Sequence, residues 1–315
     1  MVADPVAKGT GTHPRRSLRA SLVKYRYLYY LLIPVLAWYL IFCYFPMYGI
    51  VTAFQDYSMN KGTFLSPFVG FKHFQALFAD VDFWRAFRNT VIIAAYRMVI
   101  EFPIPILVAL LLNEVRHKTY KKVVQTVVYL PHFLSWVIVA SIMLTVFSPE
   151  KGLVAAIYTS LGKSAPDILS QPQTFRAMLI GTDVWKETGW NTIIYIAAIA
   201  GVDICQYESA LLDGANRFQR AWHITLPGIM SVVVIMLILN AGTILNSGFD
   251  QVFNLYNPIT YETGDILDTF VYRSALKDYK LSYAAAAGLF KSVICVAILL
   301  GSNKLAGALQ QEGIY

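Results

Sequence analysis

A helix needs about 20 consecutive apolar residues to cross the hydrocarbon core of a bilayer. Six runs of that kind lie in this chain, at roughly 28–50, 87–113, 126–147, 178–202, 229–248 and 283–307. Inside a membrane no water satisfies the backbone, so only helices and closed barrels can span it. A barrel would show ten-residue alternation, and these runs show none. Composition agrees: 57% of the 315 residues are hydrophobic and 14% are charged, against about 45–50% and about 25% in soluble domains. The fold class read from the runs is an all-α polytopic membrane protein with six transmembrane helices.

The net charge of +7 could suit a nucleic-acid partner, but its placement argues for a membrane. Lys8, Arg15, Arg16, Arg19, Lys24 and Arg26 precede the first run, and Arg116, Lys118, Lys121 and Lys122 separate the second from the third. Under the positive-inside rule both sites are cytoplasmic, which puts both termini inside. The loop from Asp250 to Ser282 then lies outside, and it is net acidic. The first run is too long for a signal-peptide core and lacks a small-residue cleavage site, so it is expected to remain as a span. Cys43, Cys205 and Cys295 have no metal-ligand spacing and read as small hydrophobes; no metal site is expected.

The chain divides accordingly. Residues 1–26 form a basic cytoplasmic arm near anionic headgroups, 27–85 the first transmembrane helix and an outside segment, 86–308 the membrane core, and 309–315 a cytoplasmic tail. In the outside segment Phe71, Phe74 and Phe78 follow helical spacing, which predicts a short helix on the interface. Pro103 and Pro105 predict a kink or local unwinding in the second span. Arg97 and Glu101 are four apart there and can neutralise each other as an internal brace.

One polar segment is too patterned to be a connector: ESALLDGANRFQRAWHITLP, residues 208–227, within a loop at 205–228. Tyr207, Leu211, Gly214, Phe218, Ala221 and Trp222 recur at helical spacing. Asp213-Gly214 reads as a turn, and Asn216 with Gln219 as a capping box. Leu226-Pro227 should end the second helix, because proline disfavours helix in the residue before it. The pattern predicts helix, sharp turn, helix and an extended exit; by itself it fits an amphipathic pair resting on the membrane equally well.

Glu208, Ala210, Gly214, Ile224, Leu226 and Pro227 stand at the spacing of the EAA loop, E-A-A-x3-G-x9-I-x-L-P, with Ser209 in place of its second alanine. That loop marks inner-membrane subunits of ATP-binding-cassette (ABC) importers, which the chain therefore resembles. FPMYGIVTAFQDY (45–57), VVYLPHFLSWVIVA (127–140), GWNTIIYIAAIAGVD (189–203) and GLFKSV (288–293) look like the polysaccharide, LplB-like permeases of the maltose-type carbohydrate-uptake group. The resemblance implies a type-1 ABC transmembrane domain in a bacterial inner (cytoplasmic) membrane. Its implied partners are a second, similar permease, two ABC ATPase subunits, an extracytoplasmic solute-binding protein and an oligosaccharide substrate. Glu208, Ser209, Ala210, Gly214, Ile224, Leu226 and Pro227 would couple to the ATPase. No phosphate-binding G-x4-GK[ST] loop occurs, so the chain is expected to be non-catalytic and to bind no cofactor, ATP and Mg residing on the partner.

Substrate-path candidates follow from chemistry. A sugar wants a flat apolar face and hydroxyl partners, which Trp190 and Asn191 could supply, although Trp also decorates membrane interfaces. Ionisable groups inside spans mark a path or a pair; Lys186 and Lys291 would suit an acidic, uronate-containing oligosaccharide. Asn240 and Asn246 in the fifth span are weaker candidates, since Gly242 and Gly248 beside them also fit close helix packing. Two other classes are an ion-coupled secondary transporter, which would favour inverted repeats, and a membrane-embedded glycosyltransferase. No internal repeat stands out, and no HExxH motif or Cys/His set lies in the loops.

Overall fold

The structure is a computed structural model and describes residues 24–246 and 248–308. Most of the expected basic arm and all of the expected tail at 309–315 lie outside the described residues. The described chain is helical almost throughout. Numbering the principal helices in order, α1 is Arg26–Phe54, α2 Lys72–Ala79, α3 Val81–Glu114, α4 Lys118–Phe133, α5 Trp136–Val146, α6 Leu153–Ser160 and α7 Pro172–Ala200. They are followed by α8 Ile204–Leu212, α9 Arg217–Gly228, α10 Met230–Thr243, α11 Phe249–Leu255, α12 Leu267–Tyr272 and α13 Leu281–Ala308. Residues up to Val51 form one compact unit and those from Thr52 another.

Three helices, α1, α3 and the α13 stretch Leu281–Lys304, are each long and apolar enough to cross a membrane, and three bent pairs raise the count to six if each pair is one span. Over the expected third span the helix is not continuous: the two halves, α4 and α5, meet at 100°. Pro131 has no N–H to continue the ladder, Leu134 and Ser135 are extended, and the Ser135 hydroxyl caps the new helix by accepting from Ile138 N at 3.3 Å.

Three prolines inside the other spans are handled by one repeated device. Phe45, Phe102 and Leu226 each donate a backbone hydrogen bond five residues back, to Leu40, Arg97 and Ala221. Each is followed by a proline: Pro46, Pro103 and Pro227. A π-turn widens the helix by one residue, and so moves the carbonyl that the proline ring would otherwise strike. In α3 this is the predicted local unwinding. At Leu226-Pro227 it corrects the expected extended exit: α9 runs on through Pro227 to Gly228, and the chain bends by 62° only at Ile229.

The second unit is held by clusters that cross between elements. Leu77 of α2, Phe83 and Ala86 of α3, Phe270 of α12 and Ala287 of α13 pack together, extended by the rings of Phe78, Phe87 and Phe290. The predicted Phe71/Phe74/Phe78 helix is thus α2, with Phe71 as its N-cap residue. Before it, the Lys72 ammonium, 2.6 Å from Asp56 and aided by His73, holds that carboxyl below its ordinary range. Phe175 and Leu179 of α7 pack on Ile93, Val252, Leu255 and Ile266. Ile106, Ala109, Tyr195, Ile199 and Ile229 form a third cluster, where α3, α7 and the start of α10 meet.

Two glycines permit these crossings. A Cβ on Gly189 of α7 would stand 2.0 Å from the Val128 carbonyl oxygen of α4, and one on Gly242 of α10 would stand 2.8 Å from Leu299 of α13. Small residues let helix backbones approach closely where hydrophobicity gives no driving force.

The segment between α10 and α13 folds back instead of looping free. Asn89 of α3, wholly buried, donates to the carbonyls of Tyr261, Glu262 and Asp265 at 3.3, 3.1 and 3.1 Å and accepts from Arg176 at 2.8 Å. Asp265, also wholly buried, takes a bidentate pair from Arg273 at 3.1 and 2.7 Å. Two-point geometry of this kind is the form in which a buried charge is tolerated.

Candidate functional site: an elbow and a polar cavity

The patterned segment forms an elbow. Asp203 caps α8 through Cys205 N at 2.9 Å. The turn follows at Gly214, whose φ of +78° is strained for any residue with a side chain, while nothing lies within 4 Å of where a Cβ would stand. Glycine is therefore needed here for its backbone and not for packing. The predicted capping box is present: Gln219 N donates to Asn216 Oδ1 at 2.9 Å, and Asn216 N to Gln219 Oε1 at 2.8 Å. The two arms are pinned by Ala215 N to Ala210 O at 2.8 Å and by Tyr207 Oη to Thr225 Oγ1 at 2.9 Å.

The arms present a surface rather than a core. Glu208 and Ser209 are exposed, Ala210, Ile224 and Leu226 half-buried, and Pro227 exposed; Ser209 returns its hydroxyl to Cys205 O at 2.9 Å. Leu212 is 90% and Phe218 75% exposed, with Phe218 stacked on Trp222 at 6.3 Å. Between the arms, a groove of about 350 Å³ is lined by Ala210, Gly214, Gln219, Arg220, His223 and Ile224, among others. Contiguous exposed apolar side chains rimmed by charge mark an interaction surface.

The second feature is a cavity of about 240 Å³ among α3, α5, α7 and α10. Its lining includes Arg97, Glu101, Trp136, Asp183, Glu187, Asn191, Tyr195 and Asn240. Arg97 Nη2 donates to Asp183 Oδ2 and to Gln251 Oε1, both at 2.7 Å. Gln251, wholly buried, in turn donates to Leu179 O at 2.7 Å and Thr182 Oγ1 at 2.8 Å. Gly248, at φ +102°, lays bare backbone over the guanidinium; a Cβ would come within 2.7 Å of Nη1 and Nη2. The expected Arg97–Glu101 brace is present as an ion pair at 3.9 Å, and the carboxylate that hydrogen-bonds Arg97 is Asp183. An (i, i+4) spacing places two side chains on one face, but a closer partner on a neighbouring helix takes the hydrogen bond.

Among the substrate-path candidates, Asn191 and Asn240 both line the cavity, and the Asn240 amide also donates to Met236 O at 3.2 Å. Lys186 is turned away: Nζ reaches Glu187 at 2.6 Å and the His132 carbonyl at 3.0 Å and lies 5.3 Å from the Trp136 ring. Trp190 stacks on His132 at 4.4 Å, whose Nδ1 is 2.7 Å from Glu187. Lys291 is buried and ion-paired with Asp268, and Asn246 meets Cys295 Sγ at 3.8 Å. Neither lysine is a free cation facing the cavity. Sequence reasoning missed Asp183 and Gln251. Asp183, with Lys186 and Glu187 close behind it, interrupts the apolar run at 178–202, which was the available signal for it; nothing local marks Gln251.

Residues 102–310 match the family described as binding-protein-dependent transport system inner membrane component. The chain belongs to this family. Among curated relatives, Protein LplB of Bacillus subtilis (strain 168) is 44% identical, over 95% of this chain and 94% of its own length. The polygalacturonan/rhamnogalacturonan transport system permease protein YteP of the same organism is 43% identical, over 96% and 94%. A solved bacterial alginate ABC transporter, in complex with alginate pentasaccharide-bound periplasmic protein, contains a chain that superposes with a TM-score of 0.88 at 39% identity, covering 95% of this chain and 100% of that one. The fold is thus the type-1 ABC transmembrane domain, and the protein is a multi-pass, non-catalytic permease subunit.

Proposed function

We propose that this permease forms half of the translocation path of an ATP-driven importer of oligo- or polysaccharides, with uronate-bearing chains as the finer reading. The observation that carries it is near full-length likeness to LplB, YteP and the alginate transporter permease, in a chain that also keeps the EAA elbow as a compact exposed surface. The polygalacturonan/rhamnogalacturonan and alginate handled by YteP and the alginate transporter support the uronate reading; the two lysines, already paired, do not.

In this reading the six spans place both termini and the elbow in the cytoplasm of a bacterial cell (inner) membrane. A second permease completes the path, two ATPase subunits carry ATP and Mg, and an extracytoplasmic binding protein delivers the saccharide. Glu208 is the polar anchor to the ATPase, Ser209 and Ala210 the close contact, and Gly214 the turn. Ile224, Leu226 and Pro227 set the direction in which α9 enters the membrane. Closure of the ATPase pair draws the docked elbows together, and the helices packed behind them re-orient as near-rigid elements between two states. Tyr207 to Thr225 and the capping box keep the elbow stiff enough to transmit that movement.

The test is the energy source. Proteoliposomes holding the whole importer and its binding protein should accumulate labelled oligosaccharide with internal ATP and no ion gradient. Uptake that follows an ion gradient and ignores ATP overturns the reading.

A further inference from the structure

The start of α4 carries positive charge that the chain itself does not neutralise. Arg116, Lys118, Lys121 and Lys122 fall together there, and no acidic residue lies between Glu114 and Glu150. Glu114, the nearest acid in the sequence, is taken by Arg217 of α9 at 3.7 Å. Among the described residues, no ion pair includes any of the four cations. Arg116, Lys118 and Lys122 are exposed and Lys121 is half-buried. Like charges one turn apart, as at Lys118 and Lys122, destabilise a helix, and cations in a first turn oppose its dipole. No acid in that turn offsets them. The patch therefore favours an anion from outside the chain.

The same helix says what else that anion should carry. Tyr120, Val123, Val127 and Leu130 recur at helical spacing and are 55–63% exposed, so an apolar stripe runs from the lysines toward the α4–α5 break. It is not the packing face: Val128, on the other side, meets Gly189 of α7. A free phosphate would use the cations and leave the stripe in water. An acidic surface of the ATPase would do the same, and an apolar face of the second permease would leave the cations unmatched. An amphiphile with an anionic headgroup and an acyl chain matches both parts.

We infer that the start of α4 is a binding surface for an anionic phospholipid of the cytoplasmic leaflet, with the phosphate among Arg116, Lys118 and Lys122 and an acyl chain along Tyr120, Val123, Val127 and Leu130. The inference rests on the importer reading, which places this end of α4 in the cytoplasm, and goes beyond it to the membrane as a specific partner. Through the Glu114–Arg217 pair the lipid surface adjoins the elbow, so a bound headgroup stands beside the segment that couples to the ATPase.

The experiment uses the assembled importer in phosphatidylcholine nanodiscs holding a trace of phosphatidylglycerol with a photoreactive acyl chain, and maps the labelled residues by mass spectrometry. Label should concentrate on residues 120–130 and be displaced by unlabelled phosphatidylglycerol, but by neither phosphatidylcholine nor inorganic phosphate. Lys118→Gln with Lys122→Gln should weaken the labelling roughly thirtyfold, about five- to sixfold for each cation at an anionic surface. Both lysines are exposed, so the variant should assemble, and size-exclusion chromatography checks that it does. Photoreactive phosphatidylcholine on the wild type tests the headgroup without any variant. Equal labelling by the two lipids overturns the inference, as does unchanged labelling of the variant. Displacement by inorganic phosphate would make the patch a free-anion site, and cross-linking of α4 to the ATPase or the second permease in place of lipid would show it covered by protein; either result also overturns it. ATP-driven uptake by the whole importer separates the two levels: uptake with labelling indifferent to headgroup sinks only this inference, whereas no ATP-driven uptake sinks the importer reading.

Discussion

Replacing Asp183 by leucine should be among the most damaging single changes in the bundle, and its cost can be worked from contacts. Arg97 Nη2 is 2.7 Å from Asp183, and the two side chains are 6% and 8% exposed. Removing one partner of a buried pair leaves an uncompensated charge and costs roughly 3–5 kcal/mol. Gln251 still accepts from the same nitrogen at 2.7 Å, but an amide offers no countercharge. Glu101, at 3.9 Å, is the carboxylate placed to move in, so the full cost should emerge in a Glu101→Gln background. Asp183→Asn keeps an acceptor and should cost less, roughly 1–3 kcal/mol. Because a buried pair replaced by apolar groups is often near neutral, Arg97→Met with Asp183→Leu should recover most of the loss. The assay is the apparent melting temperature of the detergent-solubilised importer, followed by size-exclusion chromatography of the fluorescently tagged permease. If Asp183→Leu melts with wild type, or if the double variant is no better than the worse single one, Arg97 is not held by this pair and the reasoning fails.

Three further outcomes are expected. Gly214→Val should insert and assemble normally yet lose ATP hydrolysis stimulated by the loaded binding protein; forcing a branched side chain to φ +78° costs on the order of 1–3 kcal/mol, and retained stimulation would remove Gly214 from the coupling role. Gly189→Leu should lower the yield of assembled importer, since its Cβ would lie 2.0 Å from a backbone oxygen of α4 and overpacking costs typically ~1–3 kcal/mol or more; normal yield and melting would show that the α4–α7 crossing is looser. Asn216→Ala removes the side-chain acceptor of the capping box, Asn216 Oδ1 for Gln219 N, about 1 kcal/mol, and should increase hydrogen exchange across residues 215–220 while leaving exchange in α7 unchanged.

Much of this protein was legible in its order of residues because the relevant physics is local. Apolar run length sets where helices can cross a bilayer, and the runs near 28–50, 87–113 and 283–307 appear as α1, α3 and α13. The turn at Gly214, the Asn216–Gln219 box and the spacing from Glu208 to Pro227 are fixed by neighbours a few positions apart. What failed to show was decided at a distance. Proline signalled a break at Leu226-Pro227, but a π-turn absorbed it, and the bend fell at Ile229. Lys186 and Lys291 read as free cations until folding brought the His132 carbonyl against Lys186, beside its neighbour Glu187, and Asp268 against Lys291. Arg97 keeps Glu101 beside it on its own helix at 3.9 Å, but its hydrogen-bonding partners came from elsewhere, α7 supplying Asp183 and α11 Gln251. Hydrophobic periodicity and turn chemistry act along the chain and can be read from it. The pairing of buried charges depends on which helices lie beside one another, and only tertiary packing determines that.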